Sequence, residues 1–242
     1  MGSTILDKDK FRPLFGDWWP FIEPAFPLLF PVYEHLKERS GKHFRIFPNS
    51  GDTFRAFMET PYKDVRAIWT AQCPYHTIWK GQPVADGLAF SCNGEFESPS
   101  LKILYDAMED DTGQIFLERP LKLDYLARQG ILLLNSSLTT EQGVADKHKD
   151  LWAPFMNYIC KNVFDSFKGM PIIAFGNIAR DLLHPYMTEF HLFKDVYHPA
   201  YYARKTTPME HSNVFTWTNE WLEKNNGPEF RIEYNYRELL PF

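Results

Sequence analysis

ARQGILLLNSSLT, residues 127–139, holds a continuous apolar run, Ile131 to Leu134, that opens after Gly130 and stops at the polar Asn135-Ser136-Ser137. An apolar run bounded in this way reads as a strand buried on both faces, although its length alone leaves a buried helix segment open. Pro171 to Phe175 repeats the signature and ends at Gly176-Asn177, from which Ile178 to Leu183 read as helix. Val65 to Thr70 and Phe190 to Tyr197 are two further strand candidates. Helical patterns alternate with these runs at Ser100–Met108, Trp152–Phe167 and Val214–Lys224, with a shorter one at Thr53–Glu59 after the turn Ser50-Gly51-Asp52. That rhythm predicts an α/β fold with a central, mostly parallel sheet flanked by helices. Residues 1–44 read as a Pro-interrupted helical extension, best formed over Val32–Arg39.

The 242 residues fit one domain, and 44% hydrophobic with 24% charged residues exclude global disorder. Aromatics are abundant, with 21 Phe, 12 Tyr and 7 Trp, and together with 18 Pro they suggest loops pinned by rings. The longest apolar stretch, Phe21 to Val32, contains Glu23, Pro24, Pro27 and Pro31 and cannot supply the ~20 apolar residues of a membrane span. MGSTILDKDK lacks the apolar core of a signal peptide, so a cytoplasmic protein is expected. Cys73, Cys92 and Cys160 are too few for a disulfide framework or a four-thiolate centre, and neither metal nor other cofactor is called for. The net charge of −5 argues against nonspecific coating of nucleic acid. The local clusters Lys147-His148-Lys149 and Arg204-Lys205 read, taken alone, as solvated surface.

In parallel α/β sheets ligands bind beyond the carboxyl ends of the strands. Four loops gather there: Ala71–His76 leading to Gly87–Ser91, Leu134–Thr139, Phe175–Asn177 and His198–Tyr202. Singly, each has an ordinary explanation. An Asn after a strand is a turn residue or helix cap, a His-Pro is a loop, and the Phe of GLAFS belongs to the core.

In order, they resemble the uracil-DNA glycosylase superfamily, in its uracil-excising branch, from about Phe44 to Asn225. IFPNSGDTFRAF (46–57) is similar to the family's Pro-containing loop and next helix, and AQCPYH (71–76) stands where the family has its water-activating GQDPYH. GLAFS (87–91) resembles the pocket segment and Pro99-Ser100-Leu101 the following loop. ARQGILLLNSSLT, with His148-Lys149-Asp150, is similar to the central strand and the helix after it. HPAYY (198–202) matches the catalytic His-Pro loop, and VFTWTNEWL (214–222) the closing helix. The resemblance implies a single-domain three-layer α/β/α sandwich over 1–242, with a four-stranded sheet and residues 1–44 packed on it.

It also implies a monofunctional hydrolase without a cofactor: a monomeric DNA N-glycosylase that flips a non-canonical pyrimidine out of double- or single-stranded DNA, hydrolyses its N-glycosidic bond and leaves an abasic site.

 

The same resemblance assigns the residues. Phe90 stacks on the flipped base. Asn135, with an amide donor and acceptor in one plane, reads its edge. His198 donates to the pyrimidine O2 as negative charge develops there, and the backbone near Gln72 adds a second donor. Tyr75 stands against C5 of the base. Ser100 and Ser136 hold phosphates, and the apolar wedge that refills the stack falls at Tyr202, beside Tyr201.

Two departures bear on activity. Cys73 occupies the position of the aspartate that orients the attacking water, and a thiol with an ordinary pKa near 8.5 is a poor replacement. Three readings stay open: a slower enzyme, a substitute carboxylate with Asp86 nearest in sequence, or an inactive DNA-binding or replication-subunit protein. A Cys–His nucleophile pairing Cys73 with His76 or His198 is a fourth. The second departure is Thr77-Ile78-Trp79-Lys80, unmatched in the family's loop after Tyr75. Displacement of the tyrosine by this insertion would admit a C5 substituent. The expected substrate is then a C5-modified cytosine of phage DNA, hydroxymethyl- or glucosyl-hydroxymethylcytosine, in antiviral defence, with uracil repair as the alternative.

Overall fold

The computed structural model describes residues 6–209 and 212–236. Four strands, β1 (Ala67–Ala71), β2 (Ile131–Asn135), β3 (Pro171–Phe175) and β4 (Leu192–Val196), form one sheet in the order β2-β1-β3-β4. Every pairing in it is parallel, so the sheet is fully rather than mostly parallel. The first three strands are buried along their whole length, as their unbroken apolar runs require. β4 is half-buried at the edge, and it starts two residues later than the sequence suggests, because Thr188–His191 form a turn that leaves Phe190 exposed. β1 likewise begins after Arg66, where the Arg66 and Ala67 amides both donate to Gly130 O.

The chain leaves β1 towards β2 and then crosses back to β3, so the loops that follow β1 and β3 diverge. This reversal opens a crevice at the carboxyl ends of the strands. Trp69, fully buried, packs edge-on against Phe175 and against Phe215 of the helix Val214–Asn226. The pattern at Trp152–Phe167 is a helix over Lys149–Tyr158 that passes through a wider turn and ends in a tighter one at Phe164–Phe167.

Residues 6–44 hold helices at Lys8–Phe15 and Leu29–Gly41 joined by short turns, and they pack into the same core. The Trp18 indole donates to Thr60 O at 2.8 Å, while the Thr60 hydroxyl lies 3.1 Å from Ile131 O, on β2, and 3.2 Å from Ala127 O. The insertion at Thr77–Lys80 folds into a hairpin, Ile78–Trp79 against Gln82–Pro83. Lys80 and Gly81 at its tip both take positive φ, the conformation a tight two-residue hairpin turn demands. Among the described residues no helix is long and apolar enough to cross a membrane.

Candidate active site

A cavity of about 420 Å³ lies at the carboxyl ends of the strands, and Gln72, Cys73, Tyr75, Phe90, Asn135 and His198 line it together with Ser100. With His76, which also lines it, eight of the residues singled out in the sequence therefore meet in one place. Asp86, Ser136, Tyr201 and Tyr202 do not line it.

Each wall has a local cause. Asn135 ends β2 in register with Ala71 at the end of β1, and is buried. Phe90 holds φ +67°, a conformation a bulky side chain adopts only when its surroundings impose it. Its ring lies 5.1 Å from Phe175 and 5.4 Å from the His198 ring, centroid to centroid. The Tyr75 hydroxyl donates to Phe90 O at 3.1 Å and accepts from the Ser98 hydroxyl at 2.6 Å. Ser98 in turn caps the helix Pro99–Thr112 by accepting from Leu101 N at 3.0 Å. The ring is thus tied to a helix start on one side and to the Phe90 loop on the other.

His198 caps the helix Pro199–Lys205, its Nδ1 accepting the Ala200 N–H at 3.1 Å. A nitrogen that accepts carries no proton, so the neutral ring keeps its proton on Nε2. Burial, with help from the Arg204 charge and against the pull of Asp146, lowers the His198 pKa to about 4. The ring is neutral at pH 7. Gly176, at φ +92°, lets it sit there: a Cβ on residue 176 would come 2.8 Å from His198 Cβ.

Burial pushes the Cys73 thiol up to about 12, and the neighbouring Asp146 carboxylate reinforces the shift. The thiol is protonated at neutral pH, which removes the basis for a Cys–His nucleophile. Cys73 Sγ accepts the Asp146 N–H at 3.4 Å, and the Gln72 side-chain amide donates to Asp146 Oδ2.

Asp86, expected as a substitute carboxylate, is committed elsewhere. It pairs with Arg55 at 2.8 Å, accepts from the Ser91 hydroxyl at 2.6 Å and from Leu88 N at 3.2 Å, and so braces the GLAFS turn from behind. Ser136 donates its hydroxyl to Ala71 O at 2.7 Å and is buried, joining the loops after β1 and β2. Tyr201 and Tyr202 stand outside the cavity with Tyr197, which stacks on Tyr201 at 4.9 Å between centroids.

No family model matches the chain. It is 32% identical over 212 residues to the uracil-DNA glycosylase of Bacillus velezensis, covering 86% of this chain and 90% of that one. With the uracil-DNA glycosylase of Borrelia turicatae the identity is 33% over 199 residues, 78% of this chain and 83% of the relative. The chain belongs to the uracil-DNA glycosylase family. The crystal structure of mimivirus uracil-DNA glycosylase shares the fold, with a TM-score of 0.79 at 21% identity over 89% of this chain and 86% of that one.

As a member of the uracil-DNA glycosylase family the protein is a hydrolytic DNA N-glycosylase. Two residues of the cavity, Ser98 and Arg204, and Asp146 beside it have no assigned role in the sequence. Ser98 carried a signal, since Ser-Pro before an apolar run is a helix start. Arg204 reads as surface charge, yet the helix after His198 sets it on the cavity wall. Asp146 carried no local signal, because it meets Cys73 across 73 residues of sequence.

Proposed function

We propose that the protein excises uracil from DNA and leaves an abasic site. The observation that supports this base is the clamp on Tyr75. A ring bonded through its hydroxyl to both Phe90 O and Ser98 stays against the cavity, where a group larger than hydrogen on C5 of the base would meet it. The hairpin at Ile78–Trp79 takes up the extra length after Tyr75 within its own turn. Displacement of Tyr75 was the physical basis for a C5-modified cytosine, and the clamp weighs against it. With uracil as the base, the role proposed is base-excision repair rather than antiviral defence.

In this reading the flipped uracil slides between Phe90 and the opposite wall, and Asn135 bonds its edge. His198 Nε2–H faces O2, where charge collects as the C1′–N1 bond breaks. A donor aimed at developing charge contributes roughly 10²–10³ in rate, and a neutral imidazole supplies it without a proton transfer. The tyrosines at 197, 201 and 202 present an aromatic wedge to the emptied stack, while Ser100 and Arg204 meet the strand. No lysine lines the cavity among the described residues, in keeping with hydrolysis and no Schiff base.

The test is competitive excision from uracil-containing DNA and from DNA of equal length bearing glucosylated hydroxymethylcytosine, with products resolved before and after alkali. Faster release of uracil, with strand breaks only after alkali, is expected. Faster release of the modified base would overturn the uracil reading, and breaks without alkali the monofunctional one.

A further inference from the structure

Cys73 leaves the attacking water without the aspartate that the family's motif would place there. We propose that Asp146, from a different loop, is the catalytic carboxylate that orients this water and takes its proton. The inference rests on the glycosylase reading above and adds the residue which that reading lacks.

Asp146 lies immediately behind the cavity lining, against the residue at the aspartate position. Its backbone N–H donates to Cys73 Sγ, so its main chain lies directly behind the residue at the aspartate position. Its Oδ2 accepts from the side chain of Gln72, the neighbour of Cys73 and itself a cavity wall. Its Oδ1 is buried and accepts no hydrogen bond among the described residues. A buried carboxylate oxygen without a donor is costly, and a small turn of the side chain past Ala145 towards the cavity would let a water supply one. Ala145, the residue before it, lines the same cavity. The Asp146 charge is also felt at both Cys73 and His198, the two residues that bracket the reaction.

The loop that carries Asp146 is braced. His148, fully buried, lies 2.9 Å from the Thr139 hydroxyl, to which the Trp152 indole donates at 2.7 Å. Glu141 in the same loop accepts two bonds from the Arg39 guanidinium, at 2.6 and 2.7 Å. Asp146 itself holds φ +55°, stabilised by Lys149 N donating to its carbonyl at 3.0 Å. A strained non-glycine residue on a braced loop beside the cavity is where a functional constraint is expected.

The step balances simply. The C1′–N1 bond breaks and its electron pair leaves on the base, held at O2 by His198. The water oxygen bonds to C1′, one of its protons passes to Asp146, and solvent then returns Asp146 to the carboxylate. Before that, the same negative charge faces the positive character that the sugar acquires as the base departs.

Two variants separate catalysis from scaffolding. D146N keeps an acceptor for Gln72 but removes the charge. D146G removes the whole side chain while relaxing the positive-φ backbone, so it should fold. Single-turnover excision is measured for the wild type and for both variants, with thermal unfolding and binding to abasic-site DNA as controls. Expected are losses of roughly 10²-fold or more in rate with binding held within a few-fold. Partial rescue is expected of D146G by formate and of D146N by C73D in the double variant, which returns a carboxylate from the neighbouring position. A rate within threefold of wild type in either folded variant overturns the proposal, and so does a loss that neither formate nor C73D relieves, which would make Asp146 a clamp for Gln72. A wild type that releases no base overturns the function proposed above and this step with it.

Discussion

His198 shows how one hydrogen bond fixes chemistry. Because the Ala200 amide occupies Nδ1, only Nε2–H can face a substrate, and burial keeps the ring from charging. His198→Ala and Asn135→Ala should each lower kcat by about 10²-fold or more, a loss well beyond the roughly 1 kcal/mol of stability that removing the His198 helix cap takes away. The histidine also makes a stability prediction. Its folded pKa of about 4 lies below the unfolded value of about 6.5, so the folded state binds fewer protons between these limits. Stability is full above pH 6.5 and declines as pH falls towards 4, by at most about 3 kcal/mol from this group. Unfolding curves across that window should therefore be steeper in pH for the wild type than for His198→Ala. Asn135, Phe90 and His198 stand out in the sequence only through the resemblance of their loops to the family's motifs, because each taken alone has an ordinary explanation. The identity of the water-orienting carboxylate could not, since nothing near Asp146 announces a partner at Cys73.

At the level of elements, the sheet was legible because burial on both faces leaves an unmistakable mark: Ile131–Leu134 and Pro171–Phe175 lie inside β2 and β3. The hairpin at Ile78–Trp79 was not, since two-residue strands leave no periodicity and only the φ values of Lys80 and Gly81 reveal the turn. Junctions between elements carry the sharpest tests. Gly176→Ala should displace His198, because the added methyl has 2.8 Å to its Cβ and a backbone at φ +92° resists any side chain. A fall in kcat larger than the fall in stability would be expected, and unchanged kcat would show that the loop yields. Ser98→Ala removes both a helix cap and one of the two bonds to Tyr75. It should cost about 0.5–2 kcal/mol in unfolding free energy. It should also raise excision of 5-hydroxymethyluracil relative to uracil, measured on paired oligonucleotides. An unchanged ratio would mean that the Phe90 bond alone holds the ring.

Across the whole molecule, a net charge of −5 coexists with the cation of Arg204 on the cavity wall. Arg204→Ala should weaken DNA binding at low salt and reduce the slope of log affinity against log salt by about 1, as expected for one lost phosphate contact. An unchanged slope would assign Arg204 to tuning His198 alone. The N-terminal segment is tied to the sheet through Trp18 and Thr60. Trp18→Ala, at a fully buried position, should cost about 3–5 kcal/mol, read by denaturant unfolding.

Cys73 has a practical consequence. Cys92 and Cys160 are buried, whereas Cys73 is half-buried on the cavity wall. Its protonated thiol will ignore electrophiles that merely diffuse past, because so little thiolate exists to react. A nucleotide bearing a mild electrophile and held in the cavity would present it to that sulfur at high effective concentration. The enzyme thus carries a built-in handle for covalent capture, one that discriminates bound from unbound by residence time and needs no engineered cysteine.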